Sequence, residues 1–523
     1  MNQKARQTRR AASIGAATAL GGLGMVGRSA LAGPDESTTD EASRGTAPLV
    51  VGQQRRQPNV LLVTIDTLRT DHVGPGGARG VETPVLDKLA AQGAYGAAYV
   101  QLPQTLPNHA SILTGTYIQT HGLRTTLWDQ ARPQVPTLDQ IFRRAGYRTA
   151  GIVSWYSFDN EFTNLVRAWD HWEQVVMRLG APERVMPDET RALFRAGTDM
   201  GKALDGDART TTEAALGWLD ANALRRDAGV AQPWFFWLHY RDPHYPFTPP
   251  PGFRPTAPVP AALDGGHESL GKITGGYAPT PGELAAILAA YDGEIAYTDA
   301  QLGRVMEKLD TLGLAQDTVV VVTGDHGESF LEHGPWDWLH GHSVYEGSVR
   351  VPLIVRYPAG GTGTSGQAGA AMTKPGVRFT EVVQSADIAP TVLELCGLAV
   401  PGTAGTAAAV GNTATTGTTE AMEARSFARL LAGQEEVGPE RAAWGTIFDD
   451  SQSYVVQGEW KLIRWNDPAR SRVGNELYHL ASDPRETYDY RREVPDVAAR
   501  LSAQLEGWLA AKDSGRPWRY WER

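Results

Sequence analysis

Cysteine is almost missing from this chain: Cys396 stands alone among 523 residues, so no intrachain disulfide can form and packing must hold every element. That thiol lies in the helical pattern 388–398, which reads as a buried and inert position. A basic stripe is missing too, as is any run of Lys and Arg interleaved with aromatics. With 49 basic against 59 acidic residues and a formal charge of −10, nucleic acid is excluded as the main partner. No run of about twenty strongly apolar residues occurs, so the mature protein is expected to have no transmembrane segment. There is no internal repeat, which excludes solenoids and propellers.

The first 32 residues carry an export pattern. Lys4, Arg6, Arg9 and Arg10, with no acidic residue, precede a mildly apolar Gly/Ala-rich run over 11–26, and Ala30-Leu31-Ala32 supplies a small-residue cleavage site. Thr8-Arg9-Arg10 followed by Ile14 fits the twin-arginine type, with a Sec signal bearing an incidental Arg pair as the alternative. Removal of this segment takes away five positive charges and moves the formal charge from −10 to −15. The expected location is periplasmic or extracellular. Residues 33–57 read as a disordered linker rich in Ser, Thr, Asp and Gly.

From 58 to about 400, short apolar strands alternate with amphipathic helices, which predicts an α/β domain around a mostly parallel sheet. Strands are expected over 60–65, 149–153, 234–239, 318–323 and 353–357. Helices are expected over 83–92, 136–145, 210–219 and 281–312, the last interrupted or bent at Gly293 and Gly303. The Gly/Ala/Thr-rich stretches 359–371 and 402–420 read as loops, so 401–425 is taken as a low-complexity linker. Residues 426–523 predict a small α+β unit with short antiparallel strands over 454–456, 460–465 and 476–479 and a helix over 494–511.

The stretch 99–124 organises the rest. Thr105, just ahead of Leu106-Pro107 and the apolar-periodic Ala110, Ile112 and Leu113, reads as the residue that caps a helix. Its side chain would stand at a positive helix end, where an anionic oxygen is favoured. The run 60–65 ends in Asp66, and the run 318–323 ends in Gly324-Asp325-His326. Carboxylates and imidazoles at the carboxyl ends of buried parallel strands are placed like metal ligands in an open α/β sheet. Asp66, Asp325, His326 and the Thr105 oxygen would form an oxygen/nitrogen site for one divalent cation, suited to zinc or manganese and, with added oxygens, to calcium.

The segments Asp66-Thr-Leu-Arg-Thr-Asp-His72, Thr105-Leu-Pro-Asn-His-Ala-Ser-Ile-Leu-Thr-Gly115 and Gly324-Asp-His-Gly-Glu328, in that order, resemble the sulfatase branch of the alkaline phosphatase superfamily. Further landmarks are His239-Tyr-Arg-Asp-Pro-His244-Tyr-Pro246, Tyr345-Glu-Gly-Ser-Val-Arg-Val-Pro352 and Glu476-Leu-Tyr-His479. The resemblance implies an alkaline phosphatase/sulfatase-like sandwich acting on small phosphate or sulfate esters. It gives His244 a substrate-side position, as a proton donor to the leaving oxygen or as a loop buttress. It sets His340-Gly-His342 where sulfatases carry a lysine, able to bind the transferred anion, donate a proton or hold a second metal. Asn108 and His109 are expected near the substrate, and His72 and His121 as loop braces.

Two departures matter. Formylglycine sulfatases present Cys or Ser where this chain has Thr105, and Thr cannot supply the aldehyde. Where many sulfatases carry Lys-Trp-His, this chain has Ser154-Trp155-Tyr156, so cationic contacts to a sulfate are missing. Thr105-Leu-Pro-Asn-His109 with Thr120-His-Gly122 resembles instead the nucleotide pyrophosphatase/phosphodiesterase branch, where an unmodified Thr is the nucleophile. The expected activity is therefore phosphoester hydrolysis through Thr105, with a sulfatase lacking formylglycine, or a non-hydrolytic phosphotransferase or anion-binding protein, as alternatives. If the twin-arginine reading holds, replacing Arg9 and Arg10 together by Lys leaves the precursor in the cytoplasm, as cell fractionation will show.

Overall fold

The computed structural model describes residues 57–514 apart from 79, 127–128, 130, 133–134, 159–162, 176–206, 228–229, 256–278, 358–373, 403–420, 435–438 and 469–471. The expected export signal, the expected linker up to residue 56 and nearly all of the loops expected over 359–371 and 402–420 lie outside the described residues.

The apolar, β-branched runs form the middle of a nine-stranded sheet. Across it the order is Val377–Arg378, Ala94–Tyr99, Arg350–Arg356, Thr318–Gly324, Asn59–Ile65, Trp234–Tyr240, Arg148–Val153 and His171–Gln174, with Val383–Gln384 also pairing Ala94–Tyr99. Arg350–Arg356 runs antiparallel to both of its neighbours. The other pairings are parallel. A parallel sheet is covered on both faces, and the alternation along the strands records it. Leu61, Val63 and Ile65 pack with Val320 and Val322 under the helices Pro84–Gln92, Ala208–Asn222 and Pro281–Thr311. Val60 and Leu62 pack with Val319 and Val321 on the opposite face, under Thr105–Thr114, Leu138–Arg144 and Ile388–Leu395. This is the expected α/β sandwich.

Two local expectations are corrected. Pro281–Thr311 is one uninterrupted helix of 31 residues. Gly293 does not break it; a Cβ there would stand 2.2 Å from the Phe253 carbonyl, so glycine lets a neighbouring segment lie on the helix. Thr105 is the first helical residue rather than the cap, a position taken by Gln104 in extended conformation.

Beyond the main sheet, Ala442–Thr446, Gln452–Gln457, Trp460–Asp467 and Arg472–His479 form a four-stranded antiparallel meander covered by the helix Pro495–Asp513. Val455, Leu462 and Leu477 face Leu501, Leu505 and Trp508. Tyr454, Val456 and Ile463, on alternate positions, join the core of the main sheet. Fully buried Lys461 sits at this join, its Nζ 2.9 Å from Glu346 and 2.8 Å from Glu486. Removing one partner of such a trio costs about 3–5 kcal/mol, since an uncompensated buried charge is left. The loop that leads up to Glu346 is held from the same side: the Arg472 guanidinium lies 4.6 Å from the ring centres of both Trp336 and Trp465.

His121 ends the short helix Ile118–His121 that follows Thr105–Thr114. Its Nδ1 accepts from the Leu123 N–H at 3.1 Å, so its Nε2–H donates to Ser111 Oγ at 3.1 Å. Burial, with Arg132 adding to it, lowers its pKa from 6.5 to about 3. A histidine lowered in the folded state gives stability that is complete above 6.5 and is lost as pH falls from there toward 3. We expect unfolding free energy to fall by roughly 1.4 kcal/mol per pH unit for this one group below pH about 6. In urea titrations across that range, His121→Asn should remove one proton's share of the slope.

Candidate functional site

Strand register brings the acids together. Ile65 pairs with Gly324 on one side and with Tyr240 on the other, so Asp66, Asp325 and Arg241 are the next residues at three adjacent strand ends. The ladder continues through them: Asp66 N–H donates to Tyr240 O at 2.9 Å and Asp325 N–H to Ile65 O at 3.2 Å. Thr67 then turns with φ of 53°, a left-handed conformation that β-branched residues seldom adopt. The turn aims its N–H at Asp325 Oδ1, 3.1 Å away, where the His326 N–H also donates at 2.7 Å. Asp325 Oδ2, equally buried, has no hydrogen-bond partner among the described residues.

His326 completes the group. Its Nδ1–H donates to Gly327 O at 3.0 Å, which leaves Nε2 bare. That nitrogen lies 3.6 Å from Asp66 Oδ1, 3.6 Å from Asp325 Oδ2 and 3.4 Å from Thr105 Oγ1. Burial, then the charge on His340, holds the ring neutral.

A second bare nitrogen follows from proton accounting at Thr64, whose hydroxyl can donate once and accept twice. Trp237 Nε1–H donates to it at 3.0 Å. His109 Nδ1 meets the Thr105 carbonyl at 2.7 Å and so carries a proton. Burial lowers this ring to about 4 despite the nearby Asp325 carboxylate, so His109 is neutral and its Nε2 takes the Thr64 proton at 3.0 Å. His239 Nδ1, also 3.0 Å from Thr64 Oγ1, must then be the donor. Its Nε2 is left bare, buried and, among the described residues, without a hydrogen-bond partner, 3.9 Å from Asp66 Oδ2.

This arrangement changes two expected positions. His109 is fully buried with both ring nitrogens engaged, so it braces the Thr105 carbonyl from behind instead of lining a substrate pocket. Asn108 is buried too: its amide nitrogen donates to the Asp325 carbonyl and to Ser385 Oγ, tying the helix to the strand end.

The other histidines divide. His340 lies with its ring centre 4.4 Å from that of His326 and 5.0 Å from that of His244. Its Nδ1 meets Glu328 Oε1 at 3.1 Å. Burial opposes its charge, yet the Glu328 carboxylate prevails and raises it above 6.5, while burial raises Glu328 as well. Both shifts keep a proton within the pair. His244 is the reverse case: Nδ1–H donates to Tyr245 O at 2.6 Å, and burial, Arg241 and His340 hold it neutral, so its Nε2 is an acceptor. Arg241, with Nη2 3.5 Å from His244 Nδ1 and its guanidinium 5.9 Å from the Trp155 ring, puts a buried cation beside this wall. The expected shortage of cations is thus partly made up by Arg241 and His340. His342 is exposed, its ring centre 6.5 Å from that of Phe448.

Thr64, His239, Arg241 and Glu328 have no role in the sequence reading. A signal was available for two of them: Thr64 and His239 are polar residues inside wholly buried strands, and they are register partners. Glu328 closes the Gly324–Glu328 motif, and only the fold shows that it faces His340.

The donor set fits a divalent cation. Ligand atoms of Asp66, Asp325 and His326 lie within 4.8 Å of one another. Separations of 3.6 Å approach the roughly 3.4 Å between ligands of a tetrahedral ion held at about 2.0–2.2 Å. Two buried carboxylates facing bare imidazole nitrogens are costly without a positive charge among them. Asp66, Asp325, His326 and Thr105 could hold the ion, and their N/O character suits zinc or manganese. Asp325→Asn should weaken metal binding on the order of 100-fold or more. Elemental analysis after dialysis reads this directly. A chelator should lower the melting temperature of the parent protein by several degrees and leave that of the variant almost unmoved.

Comparison with known proteins agrees with this geometry. The sulfatase family model matches residues 58–398. Arylsulfatase K of Mus musculus is 26% identical over 498 residues, covering 87% of this chain and 79% of its own length. A structure solved with D-glucosamine-2-N,6-O-disulfate superposes with a TM-score of 0.63 at 18% identity, over 88% of this chain and 99% of the other. The phosphonate monoester hydrolase of Silicibacter pomeroyi gives 0.61 at 21% identity, over 88% and 96%. At such identities the two structures establish the shared fold. Among the described residues no helix is long and apolar enough to cross a membrane. With its strand-end acids, its helix-borne hydroxyl and this match over most of its length, the chain belongs to the sulfatase family, a family of metal-dependent ester hydrolases.

Proposed function

We propose that this is an exported, metal-dependent hydrolase that cleaves phosphate esters through Thr105, diesters in preference to monoesters. The observation that carries the reading is the Thr105 hydroxyl, 3.4 Å from His326 Nε2 beside the two buried carboxylates. A divalent cation bound there lowers the pKa of that hydroxyl and offsets charge on a non-bridging oxygen of the ester. Thr105 Oγ1, its proton released to solvent at that lowered pKa, then attacks phosphorus, the bond to the alcohol oxygen breaks, and that oxygen takes a proton from His340. The sequence reading gave that task to His244, but a neutral His244 with its proton on Nδ1 has none to give from Nε2. It suits the second half-reaction, accepting the proton of the water that attacks phosphorus and frees Thr105. His109 and Thr64 hold the Thr105 carbonyl, and Asn108 holds Asp325.

The choice of phosphorus rests on Thr105. An unmodified threonyl ester has no aldehyde hydrate to expel the bound group, so water must attack the central atom. A phosphoryl group accepts that attack, and a bound cation would offset the charge that builds on its non-bridging oxygens in the transition state. The second reading, a sulfatase without formylglycine, is supported by Arg241 and His340 as anion contacts and by the arylsulfatase names of relatives. Each anion contact is worth about 2–4 kcal/mol of transition-state stabilisation, so these two groups matter. We expect matched nitrophenyl phosphate diesters to exceed the sulfate in kcat/KM by at least about tenfold, a difference of about 1.4 kcal/mol. Thr105→Ala should abolish both activities. A sulfate ester that wins by tenfold would overturn the phosphoesterase reading.

A further inference from the structure

Phe448 is a large apolar side chain that the fold leaves 40% exposed. It stands on the hairpin turn between Ala442–Thr446 and Gln452–Gln457, in the antiparallel meander. Its ring centre is 6.5 Å from that of His342, the two planes at 79°, so the rings form a corner. The corner lies beside the reacting groups. Gly341, φ 81°, is so close to Gln104 that a Cβ would come 3.1 Å from its Nε2, and Gln104 directly precedes Thr105. On the other side of Gly341, His340 packs on His326.

The corner is also rigid. The Gln452 amide donates to the His342 carbonyl at 2.9 Å and accepts from the Val344 N–H at 3.2 Å, so one side chain fixes the hairpin to the loop. Asp450, in left-handed conformation with φ 57°, is held by Thr446 Oγ1 at 2.9 Å, Arg124 Nη2 at 2.7 Å and Lys512 Nζ at 2.9 Å. Arg124 also donates to the Phe448 carbonyl at 3.2 Å. Its guanidinium is paired with Asp450, and the platform presents the apolar face of Phe448 beside the ring of His342.

We propose that Phe448 and His342 form a specificity subsite for an aromatic ring carried by the leaving group of the ester. A flat ring stacked on Phe448 would meet the His342 ring at a right angle, and both offset and edge-to-face contacts are favourable for aromatic groups. A substrate with a short aliphatic alcohol would leave the corner in water. This inference deepens the phosphoester reading and rests on it for the position of the phosphoryl group.

The test uses non-hydrolysable ligands, so it does not depend on turnover. Binding of naphthylmethylphosphonate and of methylphosphonate to the metal-loaded full-length protein is measured by calorimetry. Phe448→Ala should weaken the naphthyl ligand by about 5- to 30-fold and change methylphosphonate less than about twofold, and Phe448→Tyr should restore tight binding. Equal losses for both ligands, or a parent protein with no preference for the naphthyl compound, would overturn the proposal. A ring preference that persists in a protein hydrolysing no ester would sink the hydrolase reading and leave the subsite standing.

Discussion

Asp66 and Asp325 are buried side by side because the sheet offers them no alternative. Two neighbouring parallel strands end in the same register, and each chain turns immediately beyond its acid. Two carboxylates out of water repel each other and lose hydration, a cost of several kcal/mol for each ion. The surrounding groups are arranged to tolerate this arrangement rather than to relieve it. The backbone N–H groups of Thr67 and His326 satisfy one Asp325 oxygen, while the bare nitrogens of His326 and His239 add acceptors where donors would have neutralised the acids. Such a centre is electrically complete only with a cation, and Thr105 is brought to its edge by the first turn of a helix.

Hydrogen bonds made away from this centre decide which chemistry each histidine can perform. His244 and His340 are neighbours with similar burial, and their ring centres are 5.0 Å apart. One donates to a carbonyl and is kept neutral by burial and an adjacent guanidinium, whereas the other, despite its burial, meets a carboxylate and is kept charged. The same residue type thus holds its extra proton in one place and lacks it in the other, according to the groups packed around it.

Much of this was legible before the fold. The runs ending at Asp66 and Asp325 are apolar and β-branched, a pattern specific to buried parallel strands, and the acids follow at once. Thr105 was legible as a helix start to within one residue. The Thr64–His239 contact was not, since it joins residues 175 apart whose meaning appears only when their strands pair. Arg241 was visible as a residue but not as a cation of the site, because its place depends on the turn that folds it toward His244 and Trp155. The glycines of the long helix misled for a related reason. Propensity alone reads Gly293 as a weakness, while the close approach of the Phe253 carbonyl makes the missing side chain a requirement.

The tie between the meander and the main sheet sets a schedule. Asp66 and Thr105 lie early in the chain, Asp325 and His340 follow some two hundred residues later, and the loop that carries His340 is held by Gln452, Lys461 and Arg472, later still. A ribosome that has released the whole parallel sheet has therefore made every group of the reaction centre but not the clamp that fixes one of its walls. Only when the last sheet has folded does the loop that carries His340 gain its contacts with Gln452, Lys461 and Arg472.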